Sequence, residues 1–317
     1  MSMATGTIMS KGSNGAAGSG HLSPHAGRGR IPSEAKRSEG IRVRGRRRES
    51  ELGESPPHPT CFTSQELRSQ VDPGSSPGQA LSPQAGRGGA SGTAALYRLM
   101  AWLSPGYPVG AFSYSGGLEW AVEAGDVRDA ETLQRWLEVV IRQGGGFCDA
   151  VVLVHAHAAV AAGAAEKNLR AVAELAAALT PSKERHLETT AQGRAFVDAT
   201  RAAWPCAAFD RLLAAWDGPV AYPVAVGVAA AGHGIAVEPC VGAYMQAIAA
   251  NLVSAGVRLI PLGQTAGQRV LAALEETIAA SAQRALATPL DEVGGASFRA
   301  DLATMRHETQ YTRLFRS

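Results

Sequence analysis

The chain has 317 residues and a formal net charge of +2, from 30 Lys+Arg against 28 Asp+Glu, a length that can hold two ordinary domains. The near balance conceals a division, because residues 1–90 carry 12 Lys+Arg against 7 Asp+Glu and the remainder 18 against 21. A mildly acidic body with a basic extension excludes a nucleic-acid-binding fold carried by the body itself.

Residues 1–90 are rich in Gly, Ser, Pro and Arg with isolated apolar residues. Such a mixture cannot bury enough surface to offset chain entropy, and disorder is the expected state. Leu22-Ser-Pro-His-Ala-Gly-Arg-Gly29 recurs as Leu81-Ser-Pro-Gln-Ala-Gly-Arg-Gly88, and neither copy can form a hydrophobic face. Arg42-Val-Arg-Gly-Arg-Arg-Arg48 could attract nucleic acid or an acidic partner through charge alone. With no interleaved aromatics to stack bases, no nucleic-acid function is assigned, and the extension is expected to be dispensable.

Residues 91–317 are Ala-, Leu- and Val-rich with recurrent helical spacing and are expected to form a single all-α, bundle-like domain of about ten helices. Leu96, Leu99, Met100 and Leu103 fall at i, i+3, i+4 and i+7, a stripe that stops at Pro105. Leu118 to Ala124 predict a second helix ending at Gly125. Asp129 is placed as N-cap of a third, with the stripe Leu133, Trp136, Leu137, Val140 and Ile141. Phe147 to Ala162 is apolar almost all round, which predicts a helix buried at the centre. Glu166–Leu179 and Lys183–Trp204 are more amphipathic, with Pro181 at their joint and Pro205 as the stop.

A short helix over Phe209–Trp216 precedes Val220 to Val228, whose period of two would ordinarily suggest a strand. Pro223 lies inside that stretch and no second strand is nearby to pair with it, so helix is the reading. Glu238–Leu259 predicts a long helix with the stripe Val241, Tyr244, Met245, Ile248 and Leu252, and with Ala247, Ala250, Ser254 and Ala255 as small surfaces for a neighbouring helix. Pro261 and Gly263 break the chain before a second long helix, about Thr265 to Ala287, which should lie beside the first. In the tail, Tyr311, Leu314 and Phe315 share one helical face. So short an apolar and arginine-rich end docks either on its own body or on a partner.

Cys61, Cys148, Cys206 and Cys240 are widely spaced without a CxxC, and no apolar leader follows Met1, so reduced thiols in a cytoplasmic protein are expected. The longest uncharged run, Pro219 to Val237, contains Pro223 and His233 and is too weakly apolar for a membrane span. No GxxxxGK[ST] or HExxH occurs, so no nucleotide hydrolysis, catalytic residue or cofactor is assigned. His155 and His157 stand two apart and point to different helix faces. The competing enzyme reading, a metal-dependent hydrolase, would need Cys148, His155 and His307 to converge. Cys240 and the His307-Glu308 pair could also contact a passing nickel ion.

The stretch around which the body is organised is Leu103-Ser-Pro-Gly-Tyr-Pro-Val-Gly-Ala-Phe-Ser-Tyr-Ser-Gly-Gly-Leu-Glu-Trp120, where two prolines force a turn and glycines permit close backbone approach. It resembles the N-terminal signature of the UreF urease accessory family. Asn251-Leu-Val-Ser-Ala-Gly-Val-Arg-Leu-Ile-Pro-Leu-Gly-Gln264 is similar to that family's second signature, and Met305-Arg-His-Glu-Thr-Gln-Tyr-Thr-Arg-Leu-Phe-Arg-Ser317 to its C-terminal tail. Gly116 departs from the histidine or glutamine, and Gly256 from the alanine, that the family often has.

The resemblance covers roughly residues 93–317. It implies an all-helical, non-enzymatic homodimer that binds a UreD/UreH-type accessory protein, recruits the GTPase UreG and helps deliver nickel to apo-urease. On it, Arg306, His307, Glu308, Tyr311, Arg313 and Phe315 would dock on the UreD/UreH-type partner. Arg313 would be the anchor, since a guanidinium both stacks and makes bidentate bonds. Phe112, Ser113, Tyr114 and Glu119, with Arg258 and Gln264, would shape the groove for the tail or build the dimer seam, and Arg258 could equally be a structural arginine at a helix C-terminus.

Overall fold

Apolar stripes punctuated by proline and glycine set out a helical chain, and the computed structural model follows them over residues 91–163 and 166–316, which it describes. The extension, its repeat and Cys61 lie outside the described residues. Among the described residues there are twelve α-helices and no strand. They are α1 (Gly92–Trp102), α2 (Leu118–Glu123), α3 (Ala130–Gln143), α4 (Gly145–Ala161), α5 (Glu166–Ala178) and α6 (Lys183–Ala203), followed by α7 (Ala207–Ala215), α8 (Tyr222–Gly232), α9 (Val237–Leu259), α10 (Gln264–Ala273), α11 (Glu275–Ala287) and α12 (Phe298–His307).

The apolar helix α4 is the centre, packed on α3, α5, α8, α9 and α11. Gly227 lets α8 lie almost backbone to backbone on it, since an added Cβ would sit 2.5 Å from the Leu153 carbonyl oxygen. The valine-rich segment is helical because Pro223 stands in the first turn of α8, where its missing N–H is not needed. Asp129 caps α3 as expected: its carboxylate accepts the Thr132 N–H at 2.8 Å, and that bond with the Thr132 hydroxyl holds its pKa below the usual carboxylate value. Helix α9 is long and apolar enough to cross a membrane by length and composition alone. Here it packs against α2, α3, α4, α8, α10 and α11 and buries Val241, Tyr244 and Met245.

Four expectations are corrected. The helix expected over 265–287 is two, α10 and α11, because the buried Leu274 turns the chain, its N–H shared between the Val270 and Leu271 carbonyls at 3.2 Å each. The stripe on α1 is divided: Leu99 is buried and Leu103 half-buried, whereas Leu96 and Met100 are 58% and 67% exposed, and Trp102, outside the stripe, is buried. On α9, Ala247, Ala250 and Ser254 line a cavity, while Gly256 takes the close contact, with the Leu133 side chain. Beyond α12 the tail is an irregular strap of turns and bends, not a helix, and Phe315 is buried while Tyr311 and Leu314 are exposed.

Candidate functional site

Trp102 ends α1 in the core, and the loop that follows turns through Gly110, at φ +72°, into one 3-10 turn over Ala111–Ser113. Gly116 and Gly117 then adopt φ +57° and +80°, a conformation that L side chains rarely take. Gly117 is also the place where α12 comes closest, since a Cβ there would stand 2.6 Å from the Thr304 amide nitrogen. The two glycines deliver Glu119 into the first turn of α2 with its carboxylate buried.

That carboxylate gathers the C-terminus. Its Oε1 accepts the N–H of Leu314 at 2.7 Å, and its Oε2 accepts the N–H of Phe315 at 3.0 Å and lies 3.0 Å from His307 Nε2. The other ring nitrogen, Nδ1, is 2.7 Å from Oε1 of Glu184, which α6 brings in. Glu308 closes the arrangement by accepting the Glu184 N–H at 3.2 Å, at the start of α6 where backbone donors lack partners. The strap ends against the loop, the Arg316 N–H donating to the Ser113 carbonyl at 2.7 Å. Arg258, in the last turn of α9, donates to the Phe112 carbonyl at 3.0 Å and to the Ser254 carbonyl at 3.1 Å, and its guanidinium lies 4.5 Å from the centre of the Phe315 ring.

The fold therefore brings Phe112, Ser113, Tyr114, Glu119, Arg258, His307, Glu308 and Phe315 together, from segments nearly two hundred residues apart in places. Within this group Tyr114, Glu119, His307 and Phe315 are buried, whereas Phe112 and Arg258 are exposed. Arg306, Tyr311 and Arg313 face outward, and Gln264 is exposed at the first position of α10.

Behind the loop lies a cavity of about 310 Å³ between α4, α6, α9 and α12. Its wall carries an ionic network absent from the sequence reading: Asp149 accepts from Arg185 and, at 3.0 Å, from the Tyr244 hydroxyl, and Arg185 pairs with Glu188 at 3.4 Å. Burial pushes the Asp149 and Glu188 carboxyls up, against the pull of Arg185. Arg185 itself is held charged by its two carboxylates despite the opposing effect of burial. Asp149 was detectable in principle as the one charge in an apolar helix. Glu184 carried no such signal.

The hydrolase reading needs a convergence that is not there. His155 bonds the Thr288 carbonyl at 2.9 Å and His157 the Ile235 carbonyl at 2.8 Å, each on a different part of the fold. Burial pushes the Cys148 thiol up to about 11 and Cys240 up to about 12, so neither supplies a thiolate near neutrality. Among the described residues, no group of three or more His, Cys, Asp or Glu side chains is placed to hold a metal ion.

The UreF family profile matches residues 127–275. A urease accessory protein UreF of Bradyrhizobium diazoefficiens is 59% identical over 224 residues, covering 71% of this chain and 92% of that protein. The UreF of Rhodopseudomonas palustris (strain BisB18) is 58% identical over 228 residues, covering 72% and 94%. That of Bradyrhizobium sp. (strain BTAi1) is 60% identical over 223 residues, covering 70% and 92%. Matched at this identity across nearly the whole of each relative, the helical body described above belongs to the UreF family of urease accessory proteins.

Proposed function

We infer that the chain is a scaffold in the maturation of the urease nickel centre. It binds a UreD/UreH-type accessory protein, recruits the UreG GTPase and acts on apo-urease, as a cytoplasmic homodimer with no catalytic group of its own. Nickel is cargo in this reading, not a resident cofactor. The observation that supports it is the outer face of the strap. Tyr311 and Leu314 are fully or largely exposed beside the exposed Arg306, Arg313 and Arg316, and Phe112 projects from the loop under the same strap. Large apolar side chains set among arginines, on a segment whose backbone is held by buried bonds, form a preorganised docking edge, and aromatic and arginine residues dominate such edges.

The division between the strap's faces gives the residues separate roles. Phe315, His307 and Glu119 hold the strap, while Tyr311, Arg313 and Leu314 meet the partner. Co-purification with a UreD/UreH-type protein tests this. Tyr311→Ala with Leu314→Ala is expected to abolish capture while helicity and melting temperature stay as in the parent chain, and Arg313→Ala should weaken capture more than Arg316→Ala. Undiminished capture by the double variant would overturn the docking edge.

A further inference from the structure

His307 is fully buried with a carboxylate on each ring nitrogen, Glu184 at 2.7 Å and Glu119 at 3.0 Å. A neutral imidazole has one N–H and would meet the second carboxylate lone pair to lone pair, whereas the imidazolium donates to both. The arrangement fits the charged ring. The carboxylate on Nε2 is also the acceptor for the Leu314 and Phe315 N–H groups, so the group that senses the proton is the group that grips the strap.

We propose that Glu119, His307 and Glu184 form a proton-dependent latch: the charged His307 fixes Glu119 where it holds the strap against the signature loop, and loss of that proton releases the strap. The latch rests on the docking reading above only for its consequence, that capture of a partner is tied to strap order.

Glu184 and Glu119 stand within hydrogen-bond distance of the ring, and further charged groups lie on the elements around it. On α2, Glu123 accepts from Gln310. On α6, Glu188 and Arg185 are paired with each other and Arg185 with Asp149. On α12, Asp301 accepts from the Ser297 hydroxyl and Arg299 pairs with Asp126, while Arg306 is exposed. On the strap, Glu308 receives the Glu184 N–H, and Arg313 and Arg316 are exposed. From α9, Arg258 covers Phe315.

Burial alone would push the His307 pKa down, but the hydrogen bonds and charges of Glu184 and Glu119 outweigh it and raise it above the ordinary value. With a raised folded-state pKa, the ring's contribution is complete below the ordinary histidine value and is lost as pH rises through the folded one. Each unit of elevation reads out as tenfold in the opening equilibrium.

Amide exchange in the full chain tests the latch without any partner. Protection factors of Leu314, Phe315 and Arg316, corrected for intrinsic rates, would be followed from about pH 6 to pH 9 beside the NMR titration of the His307 ring. A severalfold loss of protection with the same midpoint, and no loss in α4, is expected. Glu119→Gln keeps an acceptor oxygen and removes the charge, so it should lower protection throughout and erase the step. A flat profile in the parent chain, or a step that survives in Glu119→Gln or His307→Gln, would overturn the latch. Partner capture measured at both ends of the pH range reads the docking question separately: capture that ignores strap release refutes the docking edge and leaves the latch standing.

Discussion

Replacing Gly117 with alanine tests the close approach of α12 to the signature loop. At φ +80° an alanine is strained by roughly 1–2 kcal/mol. Its Cβ would also meet the Thr304 amide nitrogen at 2.6 Å and the Ala303 carbonyl carbon at 2.9 Å, where ordinary contact begins at 3.4 Å. Both atoms are backbone, so no rotamer change relieves the overlap and α12 must withdraw by several tenths of an ångström. Forced repacking of this kind costs about 1–3 kcal/mol, which brings the loss to roughly 2–5 kcal/mol in all. For a body of this size the melting temperature should fall by roughly 4–20 °C. Gly125 provides the control, because it has φ +77° but nothing within 4 Å of an added Cβ. Gly125→Ala should lose only the backbone term, roughly 1–2 kcal/mol. Thermal and urea denaturation of the two variants isolate the contact by difference, and equal losses would refute the argument that α12 needs a glycine beneath it.

Asp149→Ala strands the buried Arg185 with only the longer Glu188 contact. Breaking a buried pair from one side costs about 3–5 kcal/mol, and urea denaturation should show a loss of that order. Arg258→Ala removes a guanidinium over Phe315 and one bond to the loop at an exposed position; a loss of about 0.5–1.5 kcal/mol is expected there, with exchange at Phe315 rising while α4 is unchanged. With their thiols pushed up to about 11 and about 12, Cys148 and Cys240 should react with a thiol reagent near pH 8 far more slowly in the native chain than in urea. Comparable native and unfolded rates would contradict that burial.

Much of the helical layout was legible because proline and glycine mark its borders. Pro105, Pro205 and Pro261 each fall beyond a helix end, and Pro223 could be read as a first-turn residue once no partner strand was found. The break at Leu274 was not legible, since it contains neither breaker and depends on how α10 and α11 pack. The exposed Leu96 and Met100 show why a stripe gives a period but not the width of the face it buries. At the site, the glycine pair and the arginine-aromatic tail stood out locally, yet the pairing of His307 with Glu119 and Glu184 spans 188 and 123 residues. No periodicity reports contacts so distant. Glu184, in particular, reads as an ordinary first-turn carboxylate until the fold sets it against a ring.

The same distances set an order of events during synthesis. Glu119 leaves the ribosome long before its ligands at 307, 314 and 315 exist, and a contact so far apart in sequence is slow to close. The nascent signature loop must therefore wait with an unfilled carboxylate until residues 307–315 have emerged. Any chain that stops short of residue 315 would leave the Glu119 carboxylate without the backbone donors that pin the strap.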